Sequence, residues 1–229
     1  MLVSWLIPYF QTKKEWLEEA LFSCSKYVGG ISDQEILVYL DGPASAEIHG
    51  LLEKYNVTVY SHRYNRGVEY ALNALIDNSH GEYLARLDAD DFNEPRRIEK
   101  QLELIHNNGY DAVGSWLQTI PGRGVMTTPP FTQQSDIRGI LECRGVPIYH
   151  PSCLFRASSL KQIEGYPIGY RRAEDFALWI KCFNHDWKIA NITEPLVNYR
   201  IHDQNTCREY GEQQYTAQKA ALRSWRILI

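Results

Sequence analysis

Up to about residue 90, short apolar runs alternate with stretches whose apolar positions recur at helical spacing. Leu2 to Ile7, Glu35 to Leu40, Val57 to Ser61 and Glu82 to Leu87 read as strands. Between them, Trp16, Leu17, Ala20, Leu21, Cys24 and Val28 share one helical face behind a capping box of Thr12 and Glu15. Ser45 to Tyr55 and Val68 to Asn78 make two further helices. Strands separated by helices at this spacing predict right-handed crossovers and a mostly parallel central sheet flanked by helices, an α/β fold. Ligands of such sheets bind beyond the carboxyl ends of the strands. Those ends carry Pro8, Asp41, Arg63 to Gly67, and then Asp88, Asp90 and Asp91.

Further on, Pro95 opens a helix that keeps its period through Ile98, Leu102 and Ile105, and Asp111 to Ile120 reads as another strand. Regularity lapses from Pro121 to Gln134, a loop that can serve as a lid. A short helix follows near Asp136 to Cys143. Another spans Glu174 to Phe183, with Phe176, Trp179, Ile180 and Phe183 on one side and Glu174 and Asp175 in its first turn. Pro195 to Ile201 is the last strand, and the tail after Thr206 is helical.

Composition narrows the class. The 229 residues are 44% hydrophobic and 23% charged, enough for one domain with its own core. A net charge of −4 argues against broad capture of nucleic acid. The amino terminus has neither a basic leader nor a cleavage site, and no apolar run spans a membrane, so a cytoplasmic location is expected. The five cysteines are widely spaced without a CxxC pair and read as reduced thiols. In the tail, Arg223, Trp225, Arg226 and Ile227 to Ile229 suit either a helix packed on the domain or peripheral contact with a membrane.

Three acids within Asp88-Ala89-Asp90-Asp91 at a strand end repel one another unless a cation binds among them. Mg²⁺ or Mn²⁺ takes one or two protein carboxylates and completes its shell with water and phosphate oxygens, so the cluster suits a metal diphosphate. The lesser alternative is a strand-terminal Asp that caps the helix at Pro95. Taken in order, Ser4 to Pro8, Leu40-Asp41-Gly42, Asn65-x-Gly67 with Ala71 and Asn73, Gly81 to Asp91, Pro95-x-Arg97, His150-Pro-Ser152, Glu174-Asp175 with Leu178-Trp179, and Tyr199-Arg200-x-His202 resemble the family 2 glycosyltransferases of the GT-A fold, especially the bacterial capsule and lipopolysaccharide branch.

The resemblance implies a nucleotide-sugar half over residues 1–110, an acceptor and catalytic-base half over 111–205, and a tail over 206–229. It implies that Asp41 reads the base, that Pro8, Asn65, Gly67, Asn73, Arg86, Asp88 and Ala89 surround the nucleotide, and that Asp90 and His202 hold a divalent metal. Asp175 is then the base that takes the acceptor proton in an inverting transfer. Glu174, His150, Asp91 and Arg200 support the acceptor side, and Arg200 or His202 is a candidate for the diphosphate. The implied donor is a UDP-hexose or UDP-N-acetylhexosamine, and the acceptor a saccharide or lipid-linked oligosaccharide at the inner face of the membrane. Departures around Asp41, with Leu40 and Pro43 as neighbours, leave the nucleoside contacts open. A haloacid-dehalogenase-type phosphatase, a nucleotidyltransferase and a non-catalytic sugar-binding module are the rivals.

Overall fold

The apolar runs pair into one nine-stranded sheet. The structure, a computed structural model, describes residues 2–26, 33–122, 124–128, 134–203, 205 and 211–227. The elements in chain order are β1 (Leu2–Tyr9), α1 (Lys14–Lys26), β2 (Asp33–Asp41), α2 (Ala46–Lys54), β3 (Thr58–His62), α3 (Val68–Asp77), β4 (Tyr83–Arg86), β5 (Phe92–Asn93), α4 (Arg97–Asn108), β6 (Ala112–Ile120), β7 (Gly124–Met126), α5 (Gln134–Glu142), a 3₁₀ turn (His150–Ser152), β8 (Leu154–Arg156), α6 (Ala157–Gln162), α7 (Glu174–Asn184), β9 (Ile189–Arg200) and α8 (Gly211–Ile227). Strand order is β3-β2-β1-β4-β8-β6-β9-β5, with β7 paired to β6.

The parallel arrangement read from the sequence holds for β3, β2, β1 and β4. Beyond β4 the sheet is mixed, because β8 runs antiparallel to both β4 and β6 while β6 and β9 are parallel. The strand period of two sends alternate residues into two cores. Val3, Trp5, Ile7 and Tyr9 of β1 pack with α1, α2 and α4 on one face. Leu6 faces the other way, toward α3, α5, α7 and α8.

Several elements differ from the sequence reading. Lys13, not Thr12, opens α1, since its carbonyl accepts the N–H groups of Trp16 and Leu17. Val28 lies outside the described residues. The last strand begins at Ile189, because the β6–β9 register shifts around Trp116 and lets the chain pass Pro195 without losing the sheet. The expected loop after Pro121 contains β7, paired to Leu117–Thr119; residues 129–133 of the proposed lid are outside the described part. Trp225 is buried with its Nε1 donating to Asn184 Oδ1 at 2.8 Å, so the membrane reading of that residue is corrected in favour of packing on α7. Of the cysteines, Cys24, Cys153 and Cys182 are buried and Cys143 is exposed, all as free thiols; Cys207 lies outside the described residues.

One buried polar network braces the end of β4. Arg97 is 0% exposed and lies over the Trp5 ring. Its guanidinium donates to Gln101 Oε1 (3.0 Å), Asn93 Oδ1 (2.6 Å) and the carbonyls of Arg86 (3.0 Å) and Cys153 (3.1 Å). Gln101 donates onward to the carbonyls of Val113 and Ser152. Four acceptors satisfied by one buried cation fix β4 against β8 immediately before the acidic turn.

Candidate active site

Parallel strands β1, β2 and β4 end on one rim, and there a cleft of about 670 Å³ opens. Pro8, Asp41, Asn65, Gly67, Asp88, Ala89, Asp90 and Glu174 all line it. Asp41, at the end of β2, is buried and accepts the Arg66 N–H at 2.7 Å on one oxygen and the Gly67 N–H at 2.8 Å on the other. Each oxygen keeps a second lone pair for a ligand donor. Gly67 caps α3 at φ +108°, where a Cβ would sit 2.6 Å from Glu69 Oε2; glycine is required there.

The acidic turn sits on a guanidinium. Arg86, buried in β4, donates through Nη1 to Asp88 Oδ2 at 2.6 Å and through Nη2 to Asp88 Oδ1. Burial works against the Arg86 charge, but the Asp88 carboxylate outweighs it and raises the arginine's pKa. Arg86 stands behind Asp88, outside the residues that line the cleft, and orients that acid. Carboxylate oxygens of Asp88, Asp90 and Asp91 come within 4.8 Å of one another. Asp91 turns inward, accepting the Arg200 N–H at 2.8 Å, and burial pushes its carboxyl well above the usual range.

The structure brings His202 to the same turn from the far end of the chain. Its Nε2 lies 2.8 Å from Asp90 Oδ2, its ring 4.8 Å from that of Trp16, and its N–H donates to Asn205 Oδ1 at 2.6 Å. An imidazole nitrogen and a carboxylate oxygen at this spacing fit two ligands of one octahedral cation, whose bonds of about 2.1 Å put neighbouring ligands about 3 Å apart.

Across the cleft, α7 presents Glu174 and Asp175. Burial and the adjacent Asp175 raise the Glu174 carboxyl to about 8, and its Oε2 is buried without a hydrogen-bond partner among the described residues. Burial also raises Asp175, which accepts the Phe176 N–H at 2.6 Å. Asp175 stands beside the lining residues, close enough for its charge to be felt at Asp88.

Three of the expected site residues have protein partners in the structure. Asn73 accepts the Tyr166 N–H at 2.8 Å and donates to the Tyr166 carbonyl at 2.9 Å, so it ties α3 to the chain before α7 and does not face the cleft. His150 is buried, 2.6 Å from the Tyr166 hydroxyl through Nε2, and burial lowers its pKa well below the ordinary value; it is a neutral supporting group. Arg200 donates to the Asp90 carbonyl at 2.9 Å and to Glu19, and stacks over Trp16, which makes it a brace for the acidic turn. Sequence reasoning missed Phe10, 47% exposed at the cleft, as well as Arg171, Arg172 and Asp203. A large exposed aromatic right after a buried strand, and an Arg-Arg pair before Glu174-Asp175, were the available signals.

Residues 4–163 match glycosyl transferase family 2. An O-antigen biosynthesis glycosyltransferase of Escherichia coli, WbnJ, is 29% identical over 183 residues, covering 76% of this chain and 71% of that protein. The UDP-Gal:alpha-D-GlcNAc-diphosphoundecaprenol beta-1,3-galactosyltransferase of Escherichia coli is 26% identical over 212 residues, 89% of this chain and 75% of that protein. Among solved structures, residues 1–349 of S. aureus TarS in complex with UDP-GlcNAc superpose with a TM-score of 0.78 at 18% identity, over 96% of this chain. This chain spans 65% of that structure's length. The architecture is the GT-A fold.

Proposed function

The chain belongs to glycosyl transferase family 2, and on that premise we propose that it is a metal-dependent inverting transferase moving a sugar from a UDP-hexose or UDP-N-acetylhexosamine to a saccharide hydroxyl in surface-polysaccharide assembly. The observation that carries this is the meeting, around one cleft, of Asp41, the Asp88–Asp90 turn with His202, and the Glu174–Asp175 pair. Residues up to about 110 bind the donor; residues from 111 to 205 supply the acceptor side. The E. coli relatives named above favour a growing, lipid-linked saccharide as acceptor, and the UDP-GlcNAc complex of the TarS fold neighbour favours a UDP-linked donor. Among the described residues no helix is long and apolar enough to cross a membrane.

The residues divide the labour. Asp41 accepts the base N–H, Phe10 offers the base an apolar platform, and Asp88 is held by Arg86 toward the ribose. Asp90 and His202 are the residues that would hold Mn²⁺ or Mg²⁺, which when bound offsets the negative charge growing on the departing diphosphate. Asp175 accepts the acceptor proton, and the burial that raises its pKa brings its basicity closer to neutral pH, where general-base catalysis is most effective. Glu174, carrying a proton below about pH 8, donates a hydrogen bond to a sugar hydroxyl at the same face.

The test is to incubate the protein with a panel of UDP- and dTDP-sugars and a saccharide acceptor, and to read nucleotide release together with the anomeric configuration of the product by proton NMR. Release of UDP with inversion at the anomeric carbon is expected. A product that retains configuration, or release from dTDP-sugars alone, contradicts the proposal.

A further inference from the structure

Charge around the cleft is unbalanced in a way the assigned roles leave unexplained. Its lining carries the carboxylates Asp41, Asp88, Asp90 and Asp203, beside a protonated Glu174, against two cations, Arg171 and Arg172. A nucleoside diphosphate adds further negative charge, and gains more as the bond to the sugar breaks. Arg86 balances Asp88 and a dication balances Asp90 with one charge to spare, so the diphosphate still needs a further counter-charge. Most guanidiniums nearby are committed elsewhere. Arg86 holds Asp88, Arg200 holds Glu19 and the Asp90 carbonyl, Arg66 lies 4.3 Å from the centre of the Tyr70 ring, and Arg172 donates to Gln213.

Arg171 is different. It is exposed in the cleft, and its Nη2 donates to Asn65 Oδ1, the neutral amide oxygen of another lining residue. No carboxylate forms an ion pair with it among the described residues. Its backbone is fixed on both sides. Gly169 and Arg172 take φ of +97° and +71°, and the Ala173 N–H closes a turn on the Tyr170 carbonyl at 2.8 Å. The Tyr170 hydroxyl lies 3.4 Å from Ser224 Oγ, and Arg172 reaches Gln213, so both neighbours are tied to α8 while Arg171 points into the cleft. The result is a pre-positioned planar donor whose charge is felt at the Glu69 carboxyl but is engaged in no contact ion pair among the described residues, suited to phosphate oxygens.

We propose that Arg171 is the cation that binds the donor diphosphate and stabilises the nucleoside diphosphate as it leaves, with Asn65 holding the guanidinium in position. The inference rests on the nucleotide-sugar reading above and adds to it a named phosphate-binding residue. Asn65 adjoins Arg66 and Gly67, whose N–H groups bind Asp41, and this places the guanidinium on the nucleotide side of the cleft and away from an acceptor phosphate. A donor aimed at charge that develops during bond breaking contributes more in the transition state than in the ground state.

Calorimetric titration of wild type, Arg171→Met and Arg171→Lys with UDP and with uridine, both in Mn²⁺, tests it. Losing charge-assisted hydrogen bonds to phosphate is expected to weaken UDP binding by about 10- to 100-fold in the Met variant, less in the Lys variant, with uridine affinity unchanged. Equal weakening of UDP and uridine, or unchanged UDP affinity, overturns the assignment. So does a raised acceptor KM with UDP affinity intact, which would place the guanidinium on an acceptor phosphate. A wild-type protein that binds no UDP overturns the nucleotide-sugar reading itself, and this inference with it. The side chain is exposed, so matching thermal melts establish that the variants are folded.

Discussion

Replacing Glu174 by glutamine isolates the electrostatic cost of burying an acid at the start of α7. The carboxyl is faced by Asp175 on its own helix, Glu69 from α3 and Arg86 from β4, and its pKa rises from 4.5 to about 8, with burial the largest cause. Below pH 4.5 both folded and unfolded chains hold the proton. Between there and about pH 8 only the folded chain does, so the stabilising contribution of this group is lost as pH climbs, by about 1.4 kcal/mol per unit. From pH 5.5 to pH 9 the loss attributable to this group is about 3 kcal/mol. Glutamine mimics the protonated acid in shape and does not titrate. Urea unfolding of both proteins at pH 5.5, 7 and 9 is the assay. The variant is expected to be ahead by about 1 kcal/mol at pH 5.5 and by about 5 kcal/mol at pH 9, a gap that widens by about 3 kcal/mol. A difference that stays constant across that range would mean that Glu174 is not protonated by burial in the folded chain.

Other outcomes follow from the same geometry. Asp175→Asn removes the proton acceptor while keeping shape, so transfer falls by about 10²- to 10⁴-fold with UDP affinity retained, as turnover and calorimetry on one preparation will show. Arg97→Met strips donors from four buried acceptors and destabilises the fold by about 3 kcal/mol or more, measured by denaturant unfolding; a loss under about 1 kcal/mol would mean the network behind β4 contributes little. His202→Ala lowers affinity for Mn²⁺, followed by the paramagnetic signal of the free ion, and leaves metal-free uridine binding as it was.

The parallel first half of the sheet was legible because each strand is a continuous apolar run and each crossover helix keeps its own period; from that alone Asp41, Asp88 and Asp90 had to meet at one rim. The joining of His202 to Asp90 followed from resemblance, since 112 residues separate them and no local pattern links them. The partners of Asn73 and Arg200 were hidden for a related reason. Each is polar and near the motifs, yet its hydrogen-bonding capacity is taken by Tyr166, 93 positions away, or by Glu19, 181 positions away. The six-residue α6 and the three-residue β7 are too short to show a period at all. Arg171 lies in an irregular turn set by two positive φ values, which a hydrophobic pattern does not encode.

Everything assigned to the cleft depends on a nucleotide binding through a cation held at the acidic turn. Titration of UDP into wild type and Asp90→Ala, each with Mn²⁺ and with chelator, measures that dependence directly. Wild type should bind UDP more tightly with Mn²⁺, and Asp90→Ala should bind with the same, weaker affinity in both conditions. Identical wild-type affinities with and without the metal would contradict the account.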